Sequence, residues 1–181
     1  MRARGLTAGA GSGMLPAMAS RIEVRPVRAG DAEAIWQISR EPGVIERILT
    51  LPSERLADRE ASIRDLGPDE HYMVGLLDDV VAGLGGLSVG RGRLRHAGTV
   101  FLFVSARHQG RGVGSAILAA LLDLADRWLL LERVELTVIV DNEGARKLYE
   151  RFGFEIEGRR RRSVIADGEM KDEWLMARLR P

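Results

Sequence analysis

The 181-residue chain contains no cysteine and only three histidines. The lack of cysteine excludes disulfide bonds, thiolate metal ligands and a cysteine nucleophile. His71, His96 and His108 do not stand at the spacings of zinc motifs such as HxH or HExxH, so no metal centre is predicted. Any catalysis must therefore use other groups.

The sequence also lacks long apolar segments and a large net charge. Its apolar runs are far shorter than the roughly 18 residues of a membrane-spanning helix, which predicts a cytoplasmic protein. Twenty-seven basic against 26 acidic residues give a net charge of +1, so no global field favours nucleic acid or an anionic membrane. With 45% apolar residues, we expect one domain with a sizeable core.

The first 19 residues are dominated by glycine, alanine and serine. They contain no apolar core of about 7–15 residues, so a signal peptide is not predicted. We expect a flexible tail over residues 1–19, with Met14 or Met18 as an alternative start of translation. The folded domain is predicted over residues 20–181.

Beyond the tail, strand and helix periods alternate in the order βααβββαβαββ. Asp31 is predicted to cap the first helix, and a second helix is predicted near residues 53–66. A right-handed crossover would make the strands containing Val100–Val104 and Val134–Val140 parallel. The apolar face of the helix between them is predicted to carry Val113, Ile117, Leu121, Leu124 and Trp128. The fold class is therefore α/β (α+β), with a mixed, mostly antiparallel sheet of about seven strands and about four helices.

The segment Gln109–Ser115, QGRGVGS, lies between a predicted strand and a predicted helix. Unpaired N–H groups at a helix N-terminus attract anions, and glycines let a phosphate approach the backbone. Arg107 and Arg111 stand where a helix would otherwise favour acids, which indicates an anionic ligand. A tight turn without any ligand is the alternative interpretation.

The glycine spacing of this segment can be compared with three kinds of phosphate-binding loop. Ser115-Ala116 follows Gly114, which excludes a Walker loop, and the glycine spacing does not fit a dinucleotide fingerprint. The third pattern, Gln/Arg-x-x-Gly-x-Gly/Ala, is met by Gln109, Gly112 and Gly114. It resembles the pyrophosphate loop of the GNAT superfamily of N-acetyltransferases, which bind acetyl-coenzyme A. The downstream segment VELTVIVDNEGARKLYERFGFEIEG resembles the second signature of that superfamily.

The resemblance covers residues 21–180. The segments ERLADRE, RVELTVIVDN, GFEIEG and DGEMKDEWLMARL, with the His96 strand, are similar to bacterial L-amino acid N-acetyltransferases that act on phenylalanine- and methionine-like substrates. The resemblance implies an acetyl-coenzyme A-dependent N-acetyltransferase that needs no metal, and it implies a homodimer. Another small amine, a drug or a protein N-terminus stays open as acceptor, as does a catalytically silent acyl-coenzyme A-binding module.

The resemblance also implies where the cofactor binds. The parallel strands should splay at their C-terminal ends and admit the pantetheine arm, which would pair with main-chain groups of Leu102–Val104. A main-chain N–H near Val104 would polarise the thioester carbonyl. The implied cofactor-binding residues are Leu102, Phe103, Val104, Gln109, Gly110, Arg111, Gly112, Val113, Gly114, Ser115, Asn142 and Ala145.

By the same resemblance, Tyr149 is the general acid that protonates the departing thiolate. A phenol with a pKa of about 10 stays protonated at neutral pH and can donate to a thiolate whose conjugate acid has a pKa of about 8.5. Alternatively, Tyr149 belongs only to the apolar face of its helix, with Ala145 and Phe152. Asn142 is expected to cap that helix as well as to contact the cofactor arm.

The general base is left open. Glu41, Glu46 and His96 are candidates, although each is equally a surface or packing residue, and Thr99 stands where relatives carry an acid. An α-amine with a pKa of about 8 is partly neutral at neutral pH, so a water relay would suffice.

The acceptor is expected to bind near residues 41–52, EPGVIERILTLP. A hydrophobic amino acid would suit the apolar residues Trp36, Val44, Ile45, Ile48 and Leu49. The run Arg159–Arg162 is predicted to form an ion-paired edge strand, with contact to the coenzyme or to nucleic acid as alternatives.

Overall fold

A computed structural model describes residues 20–180 and builds them around one seven-stranded sheet. The tail predicted over residues 1–19 lies outside the described residues. The strands are β1 Ile22–Pro26, β2 Glu70–Leu77, β3 Val80–Val89, β4 Ala97–Val104, β5 Arg133–Ile139, β6 Glu155–Ala166 and β7 Glu169–Leu179. The helices are α1 Ala32–Ser39, α2 Leu56–Arg64, α3 Val113–Asp123 and α4 Glu143–Arg151.

The sheet order is β1-β2-β3-β4-β5-β7-β6, and β4 and β5 are its parallel neighbours. The other neighbouring pairs in the described chain are antiparallel. The predicted element order and the parallel pair are both confirmed. A crossover through α3 joins these two central strands, so both end at the same edge of the sheet.

Helices cover both faces of the sheet. The α3 side chains Val113, Ile117 and Leu121 are buried in one cluster, and Ile35 and Ile38 of α1 are buried in a second. The glycines of β2 and β3 let α3 approach closely, because a Cβ on Gly85 would lie 2.5 Å from an Ile117 methyl carbon. A larger residue there would force α3 off the sheet.

Two local predictions need correction. Trp128 is 72% exposed, because α3 ends at Asp123 and the chain continues through a wider π-helical turn over Leu124–Trp128, which rotates Trp128 away from the apolar face. Asp31 directly precedes α1 but does not cap it with its side chain. Its carboxylate instead binds the Arg25 guanidinium at 2.7 and 2.8 Å and accepts from the Arg28 N–H.

The arginine run lies on the edge strand β6, as predicted. Arg159 pairs with Asp172 at 2.7 Å and lies over the Trp174 ring. The ladder is irregular between Arg160 and Val164, and Arg162 has a φ of +50°, so strict alternation of faces breaks there. Within residues 20–180, no helix is long and apolar enough to cross a membrane, and no cluster of three or more metal-ligating side chains occurs.

Candidate active site

The parallel strands β4 and β5 separate along their length. They pair only at Ala97–Thr99 with Arg133–Glu135. On its other side β4 stays paired with β3 as far as Val104. The second half of β4 therefore has one free edge, which faces an opening in the middle of the sheet.

The backbone groups on this free edge follow from strand alternation. The Ala97 carbonyl and the Ser105 N–H bond toward β3, whereas the His96 carbonyl accepts from Glu132 on the β5 side. Because main-chain groups of alternate residues point to the same edge, those of Leu102 and Val104 face the opening. The Gln109 amide donates to the Val104 carbonyl at 3.2 Å, which ties the glycine loop to this edge.

The glycine loop brings the N-terminus of α3 to the same opening. Gly110 and Gly112 have φ values of +72° and +89°, a conformation that glycine adopts without strain. Gly112 is the N-cap of α3, so Val113, Gly114 and Ser115 carry the first main-chain N–H groups of the helix. These groups create a site of positive potential beside the free edge of β4.

A cavity of about 660 Å³ joins these features. All of the predicted cofactor-binding residues except Arg111 line it. The Arg111 side chain points elsewhere, to the Ser20 hydroxyl at 2.7 Å and toward Asp78 at 3.8 Å. Only the main chain of Arg111 is therefore left for its predicted role in cofactor binding. Asn142 caps α4 as expected, since its Oδ1 accepts from the Ala145 N–H at 3.3 Å.

Several lining residues were missed by the sequence analysis. They are His108, Asp141, Glu143, Gly144, Leu148 and Arg151, whereas Gly43 and Arg47 lie in the expected acceptor segment 41–52 without having been singled out. Gly144, Leu148 and Arg151 recur at helical spacing with Ala145, so the period of α4 contained that signal. His108 carried no such signal. The Nδ1 atom of His108 is buried without a hydrogen-bond partner in the described chain.

Tyr149 lies behind the cavity wall and is not among the lining residues. It is 5% exposed and packs edge-on against Phe154, with ring centroids 5.8 Å apart. Burial raises the pKa of Tyr149 above its ordinary value, so the phenol stays protonated. It follows Leu148 and lies one helical turn after Ala145, which both line the cavity. Its apolar packing is thus observed, and its role as an acid stays a prediction.

None of the three candidate bases lines this cavity. The Glu41 carboxylate accepts from the Ser105 hydroxyl at 2.9 and 3.0 Å and from the Ala106 N–H at 2.7 Å, which joins the end of α1 to the end of β4. Glu46 accepts from the Gly43 N–H. His96 is exposed just before β4, at the strand end opposite the cavity.

The expected acceptor segment reaches the cavity in part. Val44 and Ile48 line it, whereas Ile45 does not and Leu49 is 78% exposed. Trp36 packs away from it, donating from its indole N–H to the Glu54 carbonyl.

Residues 32–154 match the model of the Acetyltransferase (GNAT) family. The chain belongs to that family. It is 36% identical over 169 residues to the L-amino acid N-acetyltransferase AaaT of Escherichia coli, a match that covers 89% of this chain and 99% of the relative. The recognised family and the acetyltransferase activity predicted from the two motifs are confirmed.

Solved GNAT structures have the same fold. A spermidine N-acetyltransferase from Vibrio cholerae, in complex with coenzyme A and spermine, superimposes with a TM-score of 0.77 at 23% identity and covers 88% of this chain and 95% of its own. The acetyltransferase yncA from Salmonella typhimurium, with acetyl-coenzyme A, gives a TM-score of 0.73 at 19% identity, covering 87% and 93%. At these identities the likeness confirms the fold of this N-acetyltransferase.

Proposed function

We propose that this GNAT enzyme transfers the acetyl group of acetyl-coenzyme A to the α-amine of an L-amino acid with an apolar side chain, of the phenylalanine or methionine type. One observation carries the proposal: a cavity runs from a glycine-flanked helix N-terminus, past a free strand edge, to apolar Val44 and Ile48. The similarity to an L-amino acid N-acetyltransferase supports this choice of acceptor.

The residues present fit an acyl-coenzyme A. Main-chain N–H groups at the start of α3, reached across Gly110 and Gly112, would hold the pyrophosphate. The free edge of β4 at Leu102 and Val104 would pair with the amides of the pantetheine arm, as an added strand does. Bound acetyl-coenzyme A supplies an activated thioester to the acceptor amine.

The Val104 N–H faces the opening and is the donor that we assign to the thioester carbonyl. Such a donor stabilises the oxyanion that forms when the amine attacks, and its loss in other acyl-transfer enzymes costs about 2.7–4 kcal/mol.

Tyr149 is assigned as the acid that protonates the thiolate. Its raised pKa keeps the proton on the phenol at neutral pH, and its position next to Leu148 places it behind the wall that the pantetheine arm would follow. The acceptor amine needs no strong base, because a group with a pKa of about 8 is partly neutral at neutral pH. A relay of water molecules would carry away the proton that the amine loses after it attacks the thioester.

Release of coenzyme A thiol tests the proposal. The chain contains no cysteine, so a thiol reagent reports only product. The enzyme is incubated with acetyl-coenzyme A and each of the twenty L-amino acids, polyamines, amine drugs or an N-terminal peptide, and a reaction without acceptor corrects for hydrolysis. Stimulation by phenylalanine or methionine is expected. Stimulation only by another class moves the acceptor assignment to that class, and binding without turnover would favour a silent acyl-coenzyme A-binding module.

A further inference from the structure

Four charged side chains line the cavity, and they differ in how they are paired. The acids Asp141 and Glu143 each have a lysine partner, Lys171 at 3.8 Å and Lys147 at 3.5 Å. The two cations, Arg47 and Arg151, have no carboxylate within 4.0 Å in residues 20–180. Two guanidinium groups are thus left available to an anionic ligand.

Arg47 lies at the end of the cavity away from the glycine loop. It closes the short helical turn Ile45–Arg47 between α1 and α2, and it also lines a smaller hollow of about 170 Å³. That hollow is bounded by the end of β5 and the β6–β7 turn, and no residue of the glycine loop lines it. Arg47 therefore stands on the acceptor side, separated from the α3 N-terminus proposed to hold the pyrophosphate.

The surroundings of Arg47 combine charge and apolar surface. On the side of the larger cavity its neighbours along the chain, Val44 and Ile48, present apolar side chains. On the side of the smaller hollow, Glu46, Asp167 and Lys171 face it, and Asp141 lines both the hollow and the larger cavity. Glu46 accepts from the Gly43 N–H, and Lys171 binds Glu169 at 2.6 Å and lies 3.8 Å from Asp141. An anion attracted to Arg47 would thus bind from the larger cavity, beside the apolar side chains.

We propose that Arg47 binds the α-carboxylate of the acceptor and thereby selects amino acids over amines that lack a carboxylate. This inference rests on the proposed function. A guanidinium forms two parallel, charge-assisted hydrogen bonds with a carboxylate, which fixes the orientation of the bound molecule as well as holding it. The apolar side chain would lie on Val44 and Ile48. The same positive charge disfavours polyamine acceptors.

The test compares an acceptor that carries an α-carboxylate with an acceptor that carries an uncharged amide in its place. Wild-type enzyme, Arg47→Gln and Arg47→Lys are assayed for kcat/KM with L-phenylalanine and with L-phenylalaninamide. Arg93→Gln is the matched control, since Arg93 is an exposed arginine in the β3–β4 connection and lines neither cavity. The two acceptors differ in amine basicity, but that difference cancels when the ratio of their kcat/KM values is compared between variants.

Arg47→Gln is expected to lower kcat/KM for phenylalanine about 10- to 100-fold, the range for hydrogen bonds to charged groups, mainly through KM. The phenylalanine-to-amide ratio should fall by a similar factor, should be partly retained in Arg47→Lys, and should equal the wild-type ratio in Arg93→Gln. An unchanged ratio in Arg47→Gln, while the wild-type enzyme acetylates phenylalanine, would overturn the role of Arg47 alone. A wild-type enzyme that acetylates only amines without a carboxylate would overturn the amino-acid acceptor and this inference together.

Discussion

The two ends of the cavity are built from different kinds of groups. At the α3 end, the site consists of main-chain N–H groups and glycines within one continuous segment, residues 109–115. At the other end, side chains come from the α1–α2 connection and from the segment after β5, and the adjoining smaller hollow adds the β6–β7 turn. A backbone site depends on a conformation that a short motif encodes, whereas a side-chain site depends on which distant segments meet. The glycine-loop end is therefore recognisable from sequence, whereas no contiguous motif encodes the opposite end.

The largest expected effect concerns Tyr149, which is buried behind the wall of the cavity. Tyr149→Phe keeps the buried ring and its packing on Phe154 but removes the proposed proton donor. We expect kcat to fall by about 100-fold or more, the scale of general acid catalysis, while acetyl-coenzyme A affinity measured by calorimetry is retained. Tyr72→Phe, on β2 and outside the cavity lining, is the control.

The pH dependence provides a second readout of this assignment. Burial raises the pKa of Tyr149, so the phenol should stay protonated above the ordinary tyrosine pKa of about 10. The acid-dependent rate is then fully present below that pH and is lost only as pH rises through the higher pKa of the folded enzyme. A Tyr149→Phe enzyme with wild-type kcat would show that the residue is only a packing residue.

Gly112 tests the coenzyme end. In Gly112→Val, a β-branched residue would have to adopt a φ of +89° at the N-cap of α3. We expect acetyl-coenzyme A binding to weaken by about 10- to 100-fold, because the loop relaxes away from a conformation that costs such a residue roughly 1–3 kcal/mol. Isothermal titration calorimetry measures the change.

The matched control for this variant is Gly92→Val. Gly92 also has a positive φ, +59°, but it lies in an exposed turn before β4, far from the glycine loop. Both variants place a β-branched residue at a positive φ, but only Gly112 lines the cavity, so only Gly112→Val should weaken binding. Equal affinities in both variants would mean that the α3 N-terminus does not hold the pyrophosphate.

A smaller effect, on stability and on the acceptor KM, is expected from the contact that anchors α1 to β1. The segment proposed to bind the acceptor follows α1. Asp31 is largely buried and binds Arg25 through two hydrogen bonds. Asp31→Asn should lower the free energy of unfolding by about 1–3 kcal/mol, measured by urea denaturation at neutral pH. It should disturb the acceptor KM more than acetyl-coenzyme A affinity, since α1 leads to the acceptor end.

The sign of the pH dependence follows from the same contact. Hydrogen bonds from Arg25 lower the pKa of Asp31 in the folded chain. Its contribution to stability is present above the ordinary carboxyl pKa of about 3.9 and is lost as pH falls through the lower folded value. The stability gap between wild type and Asp31→Asn should therefore close in acid. A gap that is independent of pH would point to packing instead of the ion pair.

Features that depend on residues close together in the sequence were predicted, whereas features that depend on contacts between distant segments were not. Strand and helix periods, with the crossover rule, predicted the element order and the parallel pair, because these depend on local patterning. Trp128 was placed wrongly, since periodicity assumes that a helix keeps one pitch and the chain instead enters a wider turn. The cavity-facing residues of α4 were accessible to the same periodicity, whereas Arg47 was not.

The sequence by itself determined the fold, the family and the glycine loop before α3, since each is encoded by periodicity or by a contiguous motif with glycines at fixed positions. Only the tertiary structure decided that the Arg111 side chain turns away, that the Glu41 carboxylate accepts from Ser105 and Ala106, and that Arg47 lines the cavity without a carboxylate partner in residues 20–180. The physical reason is that the pairing of a charged side chain depends on neighbours from distant segments, and these meet only when the chain folds.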